Sequence, residues 1–468
     1  MGTSNKISRR EFLRAAGVVG GASAVSILAA RGLVPTAAAA SDTATEAVKL
    51  QPMAPGRQAP VEVIFWQHHG GESRPKLTNT LIEEYKKIQP NVTVTYQTTP
   101  IAEYDKKLLA SLAGGSGPDM FAIGDWNFAL YTSRKWLSAA EPSWFGAKDT
   151  TALVDLYLPN ALAGLVVEDK LYGIPNEYNV LHTYYRADHF VEAGLDPKVA
   201  PTTWQGWGEA GAKVTVRDAS GNMTRAGFQW PYRPPMSTEW TLKQFHPLIY
   251  QLGGDVLSAD GKTCTLNSPE GIRAAELYLD FVVKYKCSEP GYTLTDKNPE
   301  FWMERMSIDL QGPWGAGLGK ATNPELYARY PDGWAVANYP KWEAADHKRD
   351  MSPMWRWAWV VNGASKLQAE AWAFINFMSE QRLRWLVDVG DIPARKGWED
   401  DPSLADLPWL PIQLKDFAYG VSVPQTPLYF EILEALSQGL ERIIAERGMI
   451  KESLDEATKR IDEILTTA

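Results

Sequence analysis

The 468-residue sequence has few of the residues that metal sites require. It contains 2 cysteines and 6 histidines, and neither an H-E-x-x-H motif nor a Cys/His cluster with zinc spacing occurs. The adjacent pair His68 and His69 has no third ligand nearby in sequence. We therefore predict no metal site and no cofactor, and we expect the histidine pair at a loop or at the edge of a pocket.

Two glycine-rich stretches lack residues that catalytic loops need. In GGSGP (114–118), Pro118 stands where a nucleophile elbow has its last glycine. In GPWGAGLGKA (312–321), Ala321 replaces the hydroxyl residue that holds magnesium, and Trp314 replaces the leading glycine of a phosphate loop. Neither stretch therefore predicts nucleophilic catalysis or nucleotide binding.

The N-terminal region has the three parts of an export signal in the expected order. Residues 8–14, SRREFLR, resemble the bacterial twin-arginine signal, and a weakly apolar Gly- and Ala-rich segment follows at 15–30. PTAAAAS then carries an Ala-x-Ala cleavage pattern ending near Ala40. We predict a twin-arginine signal peptide at 1–40, a flexible leader at 41–60, and a location in the periplasm or on the outer face of the cytoplasmic membrane.

Long apolar runs and excess basic charge are also missing. No later apolar run is long enough to cross a bilayer, and no cysteine near the cleavage site could carry a lipid anchor. Cleavage after Ala40 would remove five basic residues and Glu11, which leaves 42 basic and 55 acidic residues and a balance of −13. This balance argues against nucleic acid and anionic lipid as partners and suits a neutral or weakly charged ligand.

The two cysteines, Cys264 and Cys287, flank a predicted helix that runs from Pro269 to about Lys286. At ~1.5 Å per residue this helix spans about 25 Å, and the five residues before it fold back by at most about 17 Å. The sulfur atoms then stay too far apart to bond easily. We predict two buried thiols, although export would permit a disulfide.

The chain is long enough for two lobes, and its start alternates strands with helices. Residues 61–66, 92–97 and 119–123 are predicted strands, because they are short runs rich in β-branched and apolar residues. Between them, SRPKLTNTLIEEYKKI has an apolar stripe at helical spacing, and AEYDKKLLASLA is also helical. A β-α-β-α-β order with short loops predicts a parallel sheet covered by helices.

Tryptophan is the abundant residue, with 19 in the chain. Trp355, Trp357 and Trp359 alternate in MWRWAWVVN (354–362), so an extended chain would place all three indoles on one face. Indole is unfavourable in water, and its N–H needs a partner when it is buried. The spacing predicts a strand with an aromatic face.

Five segments, in order, resemble the bacterial extracellular solute-binding proteins of the sugar ABC importers, the class that includes the maltose-binding protein. The segments are GSGPDMFAI, the run from KLYGIPNEYNVLHTYYR to PTTWQGW, MSIDLQGPWGAG, VVNGASKLQAEAWAFINFMSEQ, and the helical region that begins at VPQTPLYFEIL. The resemblance covers about Val61 to Leu465.

The resemblance implies an α/β fold with two hinge-linked lobes, each a parallel-type sheet flanked by helices, that close on a ligand in the cleft. Residues 61–178 and 360–395 would form lobe 1, and residues 179–359 and 396–468, with the C-terminal helices, would form lobe 2. It also implies no catalysis, a carbohydrate ligand, and ABC permease subunits as partners. We expect a monomer.

A sugar has apolar C–H faces that aromatic rings can cover and hydroxyl groups that polar side chains can bind. The segments that the resemblance brings to the cleft carry both kinds of residue. The predicted ligand-binding residues are Trp66, Asp125, Trp126, Glu177, Asn179, Trp230, Tyr232, Trp240, Trp314, Trp355, Arg356, Trp357 and Phe430. By contrast, we expect Trp204, Trp207 and Trp372 in the core.

Two other functions stay open from the sequence. A secreted glycoside hydrolase would need two carboxylates about 5–10 Å apart, and Glu177 and Asp391 are candidates alongside Asp119 and Asp125. The same fold could instead bind a phosphorylated solute such as glycerol-3-phosphate, with Arg233, Arg356 and Arg395 as candidate cations. Arg356 is also expected as an ion-pair partner of Glu177 or Asp391.

Overall fold

A computed structural model describes residues 59–466, except for residue 70, residues 159–160, 231–238 and 291–298, and residue 425. The predicted signal peptide, most of the leader, and the candidate residues Tyr232 and Arg233 lie outside the described residues.

The strands within the described residues form two main sheets and one short hairpin. In chain order the strands are β1 (Val61–His69), β2 (Val92–Pro100), β3 (Met120–Gly124), β4 (Leu137–Ser138), β5 (Val166–Val167), β6 (Lys170–Leu171), β7 (Ile174–Val180), β8 (His182–Tyr185), β9 (Val216–Arg217), β10 (Met223–Phe228), β11 (Met306–Gln311), β12 (Ala335–Ala337), β13 (Ser352–Asn362) and β14 (Gly420–Ser422).

Helices cover both sheets. They are α1 (Ser73–Ile88), α2 (Ile101–Ala113), α3 (Asp125–Ser133), α4 (Thr150–Val154), α5 (Ala187–Glu192), α6 (Trp204–Val214), α7 (Glu239–Gln251), α8 (Pro269–Val283), α9 (Pro299–Trp302), α10 (Trp314–Thr322), α11 (Pro324–Tyr327), α12 (Gln368–Ser379), α13 (Arg382–Arg384), α14 (Leu410–Phe417), α15 (Tyr429–Glu446) and α16 (Ile450–Leu465). Short 3-10 turns lie at Pro142–Phe145 and Pro402–Asp406, and a π turn lies at Trp385–Val389.

The first sheet has the order β14-β13-β3-β1-β2, and β4 and β7 also pair with β13. Strands β1, β2 and β3 run parallel, whereas β13 is antiparallel to β3 and β7. The second sheet has the order β12-β8-β11-β10-β9, with β10 and β11 parallel. The predicted two-lobed α/β fold is confirmed; each sheet is mixed, because the strands that connect the lobes run against the parallel ones.

Apolar periodicity explains the helices that the sequence predicted. In α1, Leu77, Leu81 and Tyr85 are buried on one stripe, and the helix ends before Pro90. Helix α8 begins as expected, because the Ser268 side chain accepts a hydrogen bond from the backbone N–H of Gly271 at 3.2 Å. The core tryptophans were also predicted correctly, since Trp204, Trp207 and Trp372 are fully buried.

The chain passes between the sheets at β7–β8 and returns between β12 and β13. The buried carboxylate of Asp416, on α14, contacts both of these passages. It lies 2.7 Å from Nδ1 of His182 in the first, and it accepts hydrogen bonds from the Asn338 side chain and the Tyr339 backbone in the second. The pKa of Asp416 is raised by burial, against the opposing effect of His182.

Helices α15 and α16 pack on each other and against α7 and α8, which places the C-terminal helices on the second lobe. The proposed lobe boundaries stay a prediction. Strand β13 nevertheless joins the first sheet from Ser352, within the stretch 179–359 that was assigned to lobe 2. Cys264 and Cys287 are both buried free thiols, as expected.

Candidate functional site

The candidate site lies where strands of both sheets end and helices begin. Strand β3 ends at Gly124, and Asp125 and Trp126 open α3. Strand β11 ends at Gln311, and Trp314 opens α10. Because ligands of open α/β sheets bind beyond the carboxyl ends of the strands, this region is the expected position for a ligand.

A glycine two residues earlier fixes the indole at each of these helix starts. A Cβ atom on Gly124 would lie 2.2 Å from the Trp126 ring, and a Cβ atom on Gly312 would lie 1.7 Å from the Trp314 ring. Both indoles therefore fold back across backbone that only glycine leaves open. The two Gly-x-Trp triplets are the local sequence signal for this arrangement.

Trp240, Trp314 and Trp355 form a cluster that joins the two lobes. Trp355 lies on β13 of the first sheet, whereas Trp240 and Trp314 begin helices of the second lobe. The ring centroids are 5.5–6.0 Å apart, and the rings meet edge to face. Trp240 and Trp314 are half-buried, so part of each indole remains accessible.

The ammonium group of Lys243, on α7, lies among three indoles, which we call the indole cage. Its Nζ is 4.0 Å from the ring centroid of Trp126, 4.3 Å from that of Trp355 and 5.1 Å from that of Trp240. Each distance is within the range of a cation–π interaction. Lys243 is not among the predicted site residues, because one lysine in a helix predicts no particular contact.

Asp125 and Arg356 form a buried ion pair beside this cage. The Arg356 backbone N–H, Nε and Nη2 donate to Asp125 Oδ2 at 3.2, 3.2 and 3.1 Å. Burial raises the pKa of Asp125, although Arg356 and Lys243 oppose the rise. The expected pairing of Arg356 with Glu177 or Asp391 is therefore wrong, because the strand register sets it opposite Asp125.

Arg74, on α1, is the cation that binds those two acids. Its Nη2 lies 3.0 Å from Glu177 Oε2 and 3.0 Å from Asp391 Oδ1, and its Nη1 lies 3.0 Å from Nε2 of His68. All four side chains are buried. The two carboxylates thus share one guanidinium, an arrangement that restrains them as structural ion-pair partners.

Asn179 and Trp357 contact this ion-pair cluster around Arg74. The Asn179 amide donates to Glu177 Oε2 at 3.0 Å. The Trp357 ring stacks on His68 with centroids 3.8 Å apart and meets Trp126 edge-on at 5.1 Å. Trp357 thus packs between the indole of Trp126 and His68, which in turn contacts Arg74.

A cavity of about 810 Å³ lies between the second lobe and the segment that follows β14. Its volume is within the range of ~300–1,000 Å³ that small-ligand sites occupy. Ser422 lines it and also accepts a hydrogen bond from Arg356 at 3.2 Å, so the cavity begins beside the Asp125–Arg356 pair. Its polar lining includes Asp255, Ser258, Glu270, Arg349 and Thr426.

Three predicted residues lie away from this centre. Trp230 is fully buried in the second lobe among aromatic rings such as Phe228 and Tyr278. Trp66 is half-buried under the ammonium of Lys107 at 4.3 Å. Phe430 is 37% exposed, and its neighbour Tyr429 is the ring that faces Trp126, at 6.5 Å.

Two of the candidate phosphate-binding arginines lie within the described residues, and both bind protein groups. Arg356 binds Asp125, and Arg395 bonds to Asn376, Ser379 and Glu380. Within the described residues, no three His, Cys, Asp or Glu side chains are grouped so that they could hold a metal ion. In the same part of the chain, every helix is too short or too polar to span a bilayer.

Comparison with known proteins gives relatives along most of the chain. A probable amino-acid ABC transporter periplasmic-binding protein of Sinorhizobium fredii is 25% identical over 309 residues, which is 64% of this chain and 65% of that protein. The sn-glycerol-3-phosphate-binding periplasmic protein UgpB of Escherichia coli is 22% identical over 438 residues, 87% of this chain and 93% of that protein. The chain spans only 30–48% of the length of three other curated relatives.

Solved structures with the same fold cover nearly the whole described region. An ABC transporter solute-binding protein from Thermotoga lettingae, bound with alpha-D-tagatose, has a TM-score of 0.76 at 23% identity, over 86% of this chain and 99% of that one. An ABC substrate-binding protein from Listeria monocytogenes in complex with cycloalternan has a TM-score of 0.72 at 20% identity, over 87% and 99%.

The sequence profile of the family described as bacterial extracellular solute-binding protein matches residues 71–382, two thirds of the chain. This range contains β2 to β13, the whole Trp240–Trp314–Trp355 cluster, and the passages between the lobes at β7–β8 and between β12 and β13. The chain belongs to the bacterial extracellular solute-binding proteins.

Proposed function

We propose that this protein binds a carbohydrate outside the cytoplasm and delivers it to an ABC transporter by closing its lobes on the ligand. The observation that carries the proposal is the convergence of indole rings from both lobes near Arg356, whose hydrogen-bond partner Ser422 lines a polar cavity. Trp126 and Trp355 come from the first lobe, and Trp240 and Trp314 come from the second lobe. The tagatose and cycloalternan bound by the structural relatives support the ligand class.

The chemistry of the two regions suits a sugar. Indole faces can cover the C–H face of a pyranose, and the accessible parts of Trp240 and Trp314 offer such faces. The cavity supplies hydroxyl, carboxylate and guanidinium groups, from Ser422, Asp255 and Arg349 among others. A cavity of this size has room for more than one ring, so we propose an oligosaccharide or a glycoside.

The test is a thermal-shift screen of sugars followed by calorimetry. A ligand at a hundredfold excess over its Kd adds about 2.7 kcal/mol to stability, which raises Tm measurably. We expect at least one sugar to raise Tm and to reduce the radius of gyration in scattering. A complete panel without any shift would refute carbohydrate binding.

A pair of matched variants locates the site. Trp314 and Trp136 are both half-buried, but Trp136 contacts Tyr131, away from the proposed cleft. We expect Trp314→Ala to weaken sugar binding about tenfold or more, as loss of a central aromatic contact does, while Trp136→Ala binds like the wild type. Equal affinities for the two variants would place the ligand elsewhere.

A second ligand class, a phosphorylated solute such as glycerol-3-phosphate, is favoured by the similarity to UgpB over 87% of this chain. A phosphate needs cations, yet Arg356 is paired with Asp125, and Arg349 stacks on Tyr250 with its Cζ 3.5 Å from the ring centroid. We therefore favour the plain sugar. Calorimetry with glycerol-3-phosphate and with glycerol, beside the sugars, decides between them.

We also propose that the chain reaches the periplasm by the twin-arginine route and works there as a monomer with membrane permease subunits. The paired Arg9 and Arg10 support this route. Replacing both with lysine should leave the precursor in the cytoplasm, as seen by fractionation. Export of the double variant at the wild-type level would exclude the route.

A further inference from the structure

Lys243 occupies an unusual position for a lysine. It is about 1% exposed, and its ammonium faces the indoles of Trp126, Trp355 and Trp240 at 4.0, 4.3 and 5.1 Å. Lysine is almost never fully buried unless its charge is compensated. Three aromatic faces and the nearby carboxylate of Asp125 supply that compensation here.

The cage is built from both lobes. Lys243 and Trp240 lie on α7, which packs against α8 and α15 of the second lobe. Trp126 opens α3, directly after a strand of the first sheet. The contact between the Lys243 ammonium and the Trp126 ring therefore joins the two lobes, and a separation of the lobes would break it.

Trp126, Trp355 and Trp240, which contact Lys243, are three of the four indoles that we propose for the sugar site. An ammonium at 4.0 Å from the Trp126 centroid leaves no room for a pyranose on that side of the ring. A sugar ring could stack there only after the lysine side chain moved, and Asp125 would then lose a nearby positive charge. Binding and displacement are thus coupled by geometry.

We propose that Lys243 sets the ligand affinity of this site: its ammonium holds the lobes together through the indole cage, and the sugar binds by displacing it. This inference rests on the proposed function for its second half, the competition with sugar. Its first half, the contact between lobes, concerns the protein alone and can be tested without any ligand.

The first test measures lobe closure in protein without added sugar. Lys243→Ala removes the ammonium, Lys243→Arg keeps a cation that also stacks on indole, and Lys213→Ala is a control at an exposed lysine of α6. In small-angle scattering we expect a larger radius of gyration for Lys243→Ala alone. Should that variant not fold, Lys243→Gln removes the charge with little loss of length. A wild-type radius for a folded, uncharged variant would overturn the contact between lobes.

The second test measures affinity by calorimetry with a sugar that binds the wild type. We expect Lys243→Ala to bind at least fivefold more tightly, because no ammonium competes for the indole faces, and Lys243→Arg to stay near the wild type. Unchanged or weaker binding by Lys243→Ala would overturn the competition. Failure of every sugar to bind wild type and variants alike would refute the proposed function, while the scattering result would still decide the contact between lobes.

Discussion

Replacing Arg74 with methionine should cost more stability than any exposed ion pair in this protein can supply. The guanidinium lies 3.0 Å from both Glu177 Oε2 and Asp391 Oδ1, and all three side chains are buried. Arg74→Met keeps the aliphatic packing but leaves two buried carboxylates without their cation. Breaking a buried pair costs about 3–5 kcal/mol, which is a large part of the ~5–15 kcal/mol that stabilises a typical domain.

The size of this loss should depend on pH. Arg74 opposes the rise that burial causes in the pKa of Asp391, so without Arg74 the folded-state pKa of Asp391 rises further above the unfolded value. A raised folded pKa gives stability that is present at low pH and lost as the pH rises. We therefore expect Arg74→Met to cost the full 3–5 kcal/mol at pH 8 and clearly less at pH 5.

Urea unfolding followed by circular dichroism at both pH values measures the loss. Arg442 offers a matched control, because its half-exposed side chain pairs with Glu446 and Glu456 on the surface. Arg442→Met should cost less than about 1 kcal/mol at either pH. A cost for Arg74→Met no larger than that of Arg442→Met, or the same cost at pH 5 and pH 8, would contradict this prediction.

Three further changes test individual contacts. Burial raises the pKa of Asp391 to about 7, with Arg74 opposing the rise and Glu177 adding to it, so wild-type stability should fall as the pH rises from about 4 to 7. Asp391→Asn should flatten this pH dependence of stability in urea titrations. An unchanged pH dependence would assign it to another group. Ser268→Ala removes the N-cap of α8 and should lower the free energy of unfolding by about 1 kcal/mol; no change in chemical denaturation would show that the cap is replaced by water. Gly227→Ala should destabilise severely, because its Cβ would lie 2.0 Å from the Gly211 carbonyl oxygen; a wild-type Tm would contradict the close approach of these two backbones.

The sequence predicted the elements well where periodicity and end signals agree. Helices α1 and α6 begin and end as expected, because their apolar stripes and flanking residues carry the information locally. The strand MWRWAWVVN was also predicted, but its indoles meet different partners. Trp355 contacts Trp240 of the second lobe, whereas Trp359 packs on Trp385. Alternation indicates a shared face and does not specify what covers that face.

The polar contacts of the site could not be predicted in the same way. Arg74 and Asp391 are 317 residues apart, and Arg356 and Asp125 are 231 apart. A charged residue at the start of an amphipathic helix has the same sequence pattern whether it is solvated or buried. Partners of this kind are set by sheet register and by how the lobes meet, which no local pattern contains.

The carboxylate of Asp416 has a mechanical consequence. It contacts His182, where the chain passes to the second sheet, and it accepts hydrogen bonds from Asn338 and Tyr339, where the chain returns. Any rocking of the lobes that keeps these bonds must turn about this knot, so atoms near it shift little. Trp126 and Trp314 open helices on different lobes, so such a rotation would change the distance between their indoles while Asp416 stays near the axis.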